Sequence, residues 1–289
     1  MIYVSSQPDI PYFHWQVKVY ANNFIRLGIR PEQIHAIFLI EDRESQGLKQ
    51  LKSELPIRIF SYPITKSHYP PVYKPQGMKQ HASYLKGMFF YHDSDIVLTA
   101  IPEVDKLCTC AWYMSDCRSY IDTKYIKSKG EGLLEYMCQS IGINPAIVEA
   151  NDENAGGAQY VMSGTTYEFW DKVEKDSLLL LKAMKEFPPP EKGYPIQSFC
   201  AEMWATLWNM IAFGKELKIH PELNFTFATS HYKDLSKVKI LHNAGVLPQN
   251  RDKMFYKGDY INKSPLGLDF SHLSKEYASW KYVEELSYF

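Results

Sequence analysis

The 289-residue chain lacks an excess of charge of either sign. Its 32 Lys and Arg stand against 33 Asp and Glu, a formal net charge of −1. No broad basic field exists to hold nucleic acid or an anionic membrane surface. The chain also lacks an apolar run long enough to span a bilayer, and nothing in it resembles a secretory leader. The expectation is therefore no membrane span and a cytoplasmic location. Neither G-x-G-x-x-G nor a Walker loop occurs, which argues against dinucleotide redox enzymes and P-loop NTPases. The absence of G-x-S-x-G argues against a Ser-His-Asp hydrolase. Cysteines are few: Cys108, Cys110, Cys117, Cys138 and Cys200. Cys108 and Cys110 are separated by one residue, not the two of a zinc or redox motif. The expectation is free buried thiols in a reducing compartment.

What the sequence does hold is apolar material. Hydrophobic residues make up 45% of it, with 6 Trp, 21 Tyr and 15 Phe. Tyr and Trp offer an apolar face with a polar edge, suited to sugars and nucleobases, although most aromatics simply pack. This content can fill one large α/β core. With no internal repeat and no long linker, the expectation is a single domain over residues 1–289.

Apolar runs and breakers predict a strand over residues 2–5, a helix over 15–27, and strands over 34–40 and 57–60. A Pro- and Tyr-rich loop over 62–75 and a helix over 77–86 lead to a strand at 88–91. Strands alternating with helices predict an α/β fold with a mostly parallel sheet and helices on its faces. Such sheets bind ligands beyond the carboxyl ends of their strands, where Ser5, Ser6, Glu41 and Asp42 fall. The second half is less regular. Strands are expected over 108–114, 159–162 and 239–242, helices over 132–141, 165–187 and 198–213, and an amphipathic tail over 277–286.

Asp93-Ser94-Asp95 carries the most chemistry. The two acids follow Met88, Phe89, Phe90 and Tyr91 and precede Ile96, Val97 and Leu98. Charges beside a core are costly unless matched by a cation or by hydrogen bonds. Alternate residues of an extended segment share a face, so both acids can address one ion. Oxygen ligands there suit Mg²⁺ or Mn²⁺, held together with substrate phosphates. The plain alternative is a solvated turn. His242 follows Ile240 and Leu241 and is either a further metal ligand or a core histidine bonded to backbone. Asn243 and Gly245 permit a tight turn whose N–H groups approach a phosphate.

Gly156 and Gly157 precede the strand-like stretch from Gln159. Paired glycines there read as a close approach of backbone to ligand, or as a bulge or tight turn. Gln159 can hydrogen-bond sugar hydroxyls. Glu202 sits near the start of an apolar helix, with Thr206 and Asn209 on its face. It is either a first-turn acid favoured by the helix dipole, or a general base or nucleophile. Lys74 and Lys79 flank a Pro-Gln-Gly turn as candidate phosphate contacts or ordinary surface lysines. Tyr12, His14, Trp15 and Gln16 are candidates to stack on a base or a sugar.

In chain order, these features resemble the GT-A class of nucleotide-sugar glycosyltransferases. They are an N-terminal strand, a D-x-D closing an apolar strand, the segment Gly156-Gly157-Ala158-Gln159-Tyr160, a Glu-bearing helix and a late strand ending in His. The order spans residues 2–245. More narrowly, Pro11-Tyr12-Phe13-His14-Trp15-Gln16 and Ala201-Glu202-Met203-Trp204 are similar to segments of plant hydroxyproline O-arabinosyltransferases and peptidyl-serine galactosyltransferases. The resemblance implies a GT-A-like fold, with a nucleotide-sugar-binding half over 1–100, an acceptor-binding half over 101–250 and a tail over 251–289.

The resemblance also implies Mn²⁺ or Mg²⁺ held by Asp93, Asp95 and His242 against the diphosphate of a UDP-sugar. Ser5, Ser6 and Glu41 would lie near the nucleoside. Gly156 and Gly157 would face the sugar, with Gln159, Asn243 and Gly245 also lining the donor. Glu202 would be the acid nearest the reacting carbon or the acceptor hydroxyl. The implied activity is transfer of a hexosyl or pentosyl unit to a glycan or protein-linked hydroxyl. Two rivals use the same residues: a metal-dependent nucleotidyltransferase or phosphohydrolase, and a non-catalytic carbohydrate-binding protein whose acids are structural.

Overall fold

A computed structural model describes residues 1–190 and 193–289. In chain order its strands are β1 (Ile2–Pro8), β2 (Ile34–Ile40), β3 (Arg58–Pro63), β4 (Met88–Tyr91), β5 (Ile96–Leu98), β6 (Ala111–Asp116), β7 (Gly156–Ser163), β8 (Glu216–Ile219), β9 (Phe225–Phe227) and β10 (Ile240–His242). The helices are α1 (Pro11–Arg26), α2 (Gln46–Glu54), α3 (Tyr73–His81), α4 (Arg118–Ile121), α5 (Thr123–Lys127), α6 (Leu133–Ile141), α7 (Pro145–Glu149), α8 (Tyr167–Glu186), α9 (Ala201–Ala212) and α10 (Ser279–Leu286). The fold is α/β, a mostly parallel sheet with flanking helices, as the alternating pattern predicts. Among the described residues, no helix is long and apolar enough to cross a membrane.

Two compact units divide the chain. The first comprises Met1–Pro63, His92–Lys106 and Pro221–Phe289. Here β1 and β2 pair in parallel, as do β2 and β3, with Ser5 opposite Ala36 and His35 opposite Arg58. Strands β1 and β2 are buried almost throughout, as parallel strands covered on both faces must be. Strand β5 runs antiparallel to β10, and β10 parallel to β9, forming a small second sheet. A core cluster joins Trp15 and Val19 of α1 to Phe255, Phe270, Tyr282 and Leu286 of the C-terminal segment.

The second unit comprises Ile64–Tyr91 and Leu107–His220. Strand β7 pairs antiparallel with both β4 and β6, and β6 pairs parallel with β8. Helix α8 starts where Thr166 Oγ1 accepts from the Phe169 N–H at 3.3 Å, one of the first-turn donors a helix leaves open. Its Trp170 is fully buried and meets Tyr91 edge-on, with centroids 5.4 Å apart.

Several expectations are corrected. Strand β1 continues to Pro8, whose neighbour across the ladder is Leu39, so Ser5 and Ser6 lie inside the strand rather than at its end. Helix α1 starts at Pro11, ahead of the expected start at residue 15, and a first-turn proline has no N–H to lose there. Helix α3 starts at Tyr73, within the expected loop. Helix α2 and the short strands β5, β8 and β9 were not expected. Gly156 and Gly157 lie within β7, not before it. Cys108 and Cys110 are joined in a disulfide across Thr109, against the expectation of free thiols; their Cα atoms are 5.3 Å apart, within disulfide reach. Cys117 and Cys138 are buried thiols, as expected, and Cys200 is a partly exposed one.

Candidate functional site

The antiparallel register of β5 and β10 sets the geometry of the acid pair. It places His242 opposite Ile96, the residue after Asp95. One step further, the Asn243 N–H donates to the Asp95 carbonyl at 2.9 Å. The Asp93 and Asp95 side chains therefore meet the His242 ring. Nε2 lies 3.2 Å from Asp95 Oδ1 and 3.6 Å from Asp93 Oδ2. Asp95 stands in a turn with Ser94 and Asp93 just before it, and the turn brings both acids to one nitrogen. Ser94 Oγ, between them, donates to Gln16 Oε1 of α1 at 2.8 Å and ties the turn down. The ring of His242 is flanked by Phe225 and Phe227, at centroid distances of 5.6 and 6.1 Å.

Asp95 has a further partner, Lys257, whose ammonium pairs with Oδ2. Burial alone would raise the Asp95 pKa. Lys257 and His242 outweigh it and hold the carboxyl well below the usual carboxylate range. Burial acts to lower the Lys257 pKa, but Asp95 pushes it up to about 12. Lys257 opens a single turn, Lys257–Tyr260, in the C-terminal segment.

The donor set fits a hard or borderline divalent ion. Two carboxylate oxygens and an imidazole nitrogen lie within 4.8 Å of one another. Ligands about 2.1 Å from an octahedral ion are separated by about 3 to 4.2 Å, and the two measured spacings fall in that range. His242 Nδ1 is buried without a hydrogen-bond partner among the described residues, as are both side-chain polar atoms of Asn243. Buried polar atoms left unmatched are costly, and a bound polar group beside the Asn243 amide would remove that cost. This is the one His, Cys, Asp and Glu cluster of ligating geometry among the described residues.

The second unit holds another group of predicted residues. Glu202 lies in the first turn of α9 and is 1% exposed. Its Oε2 is 2.7 Å from Lys74 Nζ, and Thr206 Oγ1 donates to Oε1 at 3.2 Å. The Glu202 N–H donates to Tyr69 Oη at 2.9 Å. Lys74 therefore has a carboxylate partner. Lys79 pairs with Asp171 and Glu174 of α8, at 3.1 and 2.6 Å.

Gly156 and Gly157 lie close against neighbours within this unit. A Cβ on Gly156 would lie 2.6 Å from Met114 Cβ and 2.8 Å from the Ser115 carbonyl oxygen. A bulge follows, with the register shifting between Met114 and Ser115 and Ala158 at φ 63°. The bulge aims Gln159 inward, where Oε1 accepts from Ser115 Oγ at 2.7 Å. Its Nε2 is buried without a partner among the described residues.

The remaining predicted residues scatter. Ser5 is fully buried, its hydroxyl 2.8 Å from Tyr20 Oη. Ser6 is buried in β1, and Glu41 is exposed just after β2. Gly245 adopts φ +90°, the left-handed turn geometry expected of it. His14 Nε2 lies 2.6 Å from Asp9 Oδ1, and Trp15 is core at 1% exposure and so no stacking platform. Gln16 acts through Ser94 instead. Sequence reasoning missed Lys257. The local signal was a lysine among Phe255, Tyr256 and Tyr260, which alone points nowhere.

No protein-family model and no curated protein matches the chain. Solved structures do resemble it. The bifunctional glycosyltransferase WbbM aligns with a TM-score of 0.51 at 12% identity, covering 99% of this chain and 49% of that one. The galactosyltransferase LgtC, in complex with donor and acceptor sugar analogs, aligns with a TM-score of 0.50 at 12% identity, covering 100% of this chain and 96% of that one. The chain thus spans about half the length of WbbM and nearly all of LgtC. Neither is one of the plant enzymes whose segments the sequence resembles. At this level of identity the likeness is one of fold: the chain has the GT-A glycosyltransferase fold.

Proposed function

We propose that this protein is a metal-dependent glycosyltransferase that moves a hexosyl or pentosyl unit from a UDP-sugar to a hydroxyl of a glycan or protein-linked acceptor. The observation that carries this reading is the Asp93, Asp95 and His242 cluster on a fold shared with glycosyltransferases. These three residues would hold Mn²⁺ or Mg²⁺, which supplies positive charge to a leaving diphosphate. Gln16 and Ser94 hold the turn that presents the acids. The unmatched amide of Asn243 offers the donor a polar contact. In the second unit, Gln159 Nε2 is the proposed donor to a sugar hydroxyl. Glu202 is the proposed acid or base for the acceptor. A nucleotidyltransferase or phosphohydrolase working through two ions calls for a second ligand cluster, and the described residues hold only the one formed by Asp93, Asp95 and His242.

The test is thermal stability with UDP, with and without Mn²⁺, in the wild type and in Asp95→Ala. Ligand at a hundred times its Kd stabilises a fold by about 2.7 kcal/mol, a readily measured shift. The expected result is stabilisation by UDP that requires Mn²⁺ and is lost in Asp95→Ala. Stabilisation indifferent to Mn²⁺ would overturn the metal role. Failure of UDP to stabilise at all would overturn the donor assignment. Release of UDP from a panel of UDP-sugars then identifies the sugar.

A further inference from the structure

Lys257 is the charged member of the acid cluster that the proposed function leaves unused. Its ammonium sits on Asp95 Oδ2 while His242 faces Oδ1. Asp93 and Asp95 bring two negative charges, and Lys257 sits on the second of these carboxylates. A divalent ion on the same carboxylates matches both and leaves the ammonium in surplus beside it. Like charges at such range repel strongly wherever water is scarce, and the Asp95 side chain is only 9% exposed. We infer that Lys257 and the divalent ion are alternative partners of Asp95, so that loading the site displaces a built-in cation. This rests on the metal reading above.

The surroundings of Lys257 allow its side chain to move while its backbone stays. Phe255 is buried, and its N–H donates to Ser279 Oγ at 2.8 Å. Its ring stacks on Tyr260 and Tyr282, at 5.4 and 5.7 Å. On the other side, the Tyr260 carbonyl accepts from Trp15 Nε1 at 3.1 Å. The Tyr256 ring lies so close over Gly258 that a Cβ there would be 2.3 Å from Cζ. The turn is thus pinned at both ends. A lysine has a flexible four-carbon stem, and this one keeps 26% of its side chain in solvent. An exit for the ammonium is therefore present, and the exchange requires no refolding of the segment.

The inference is tested by Mn²⁺ binding to the full chain without nucleotide. Free Mn²⁺ is followed by electron paramagnetic resonance in the wild type, Lys257→Gln, Lys257→Arg and Asp95→Ala. Removing the competing charge in Lys257→Gln should tighten Mn²⁺ binding by a factor within the usual coupling range of about 5 to 150. Lys257→Arg keeps the charge and should not tighten it. Without metal, Lys257→Gln should melt below the wild type, because Asp95 loses its partner, and Mn²⁺ should raise its Tm by more than it raises the wild type. Lys257→Met, which keeps the packing of the stem, gives the same readout by a second route. Equal or weaker Mn²⁺ binding by both neutral variants, with binding by the wild type and none by Asp95→Ala, overturns the exchange and leaves the metal centre standing. No Mn²⁺ binding by any variant overturns the metal reading and the exchange together.

Discussion

Glu202 Oε2 and Lys74 Nζ form a 2.7 Å ion pair, with the glutamate side chain 2% exposed and the lysine 24%. Helix α3 supplies the cation and the first turn of α9 the acid. Removing one partner of a buried pair leaves the other uncompensated. Lys74→Met should therefore cost about 3 kcal/mol, the low end for a buried pair because Lys74 keeps some solvent. The double variant Lys74→Met, Glu202→Leu should cost less than the sum of the single changes. Urea unfolding of the four proteins measures both. Glu202→Gln keeps the shape and should leave UDP affinity largely unchanged while turnover falls; an unchanged rate removes Glu202 from the chemistry.

The two glycines of β7 should respond unequally to alanine. In Gly156→Ala the new Cβ meets the Ser115 backbone oxygen at 2.8 Å and Met114 Cβ at 2.6 Å, neither of which can swing away. Overpacking of this kind costs about 1–3 kcal/mol. In Gly157→Ala the obstacle is Met203 Cε at 2.5 Å, the far end of an adaptable side chain. Its cost should be clearly the smaller in the same denaturation assay. Equal costs would show that the bulge, rather than local contact, governs both positions.

Thiol titration should find three reactive cysteines in the denatured, unreduced chain, out of five in the sequence. The disulfide closes a very short loop, so the entropic term it removes from the unfolded chain is small, about 1.6 kcal/mol by the loop-length relation. Cys108→Ser with Cys110→Ser should accordingly lower the Tm by only a few degrees. A much larger drop would mean that the link holds packing around β6.

His35 gives the fold a pH dependence with a definite sign. Burial, with Arg58 adding to it, pushes its pKa down to about 4. An unfolded histidine protonates near 6.5, so between those values unfolding takes up a proton. The stability contributed by keeping His35 neutral is present above about 6.5 and is lost as the pH falls towards 4, about 3 kcal/mol for the whole interval. Tm measured from pH 7 to pH 4 should decline more gently in His35→Phe than in the wild type. His92, also pushed down to about 4 by burial, keeps part of the slope in that variant.

The Asp93, Asp95 and His242 cluster and the order of the main elements were legible because their signals are local. An acid pair between apolar runs, and a histidine closing an apolar triplet, stand out against their neighbours. Lys257 did not, because its partner lies 162 positions away and attraction over that separation leaves no pattern in either segment. Helix α2 was missed because only Leu48 and Leu51 are buried, too few to mark a face. Strands β5 and β9 have three residues each and take their form from β10 between them. The glycine pair misled because glycine normally interrupts strands, whereas here it admits the crowded side of β6.

The register that sets His242 beside Asp95 also has a meaning in time. The acids leave the ribosome well before the histidine does, by roughly 7 to 30 s at ordinary elongation rates. During that interval they lack the His242 imidazole, since β10 has not been made. On the proposed metal reading, ion capture by the full cluster therefore belongs to the end of synthesis and does not template the early strands. A translation product that stops short of β10 carries both acids but only part of the ligand set.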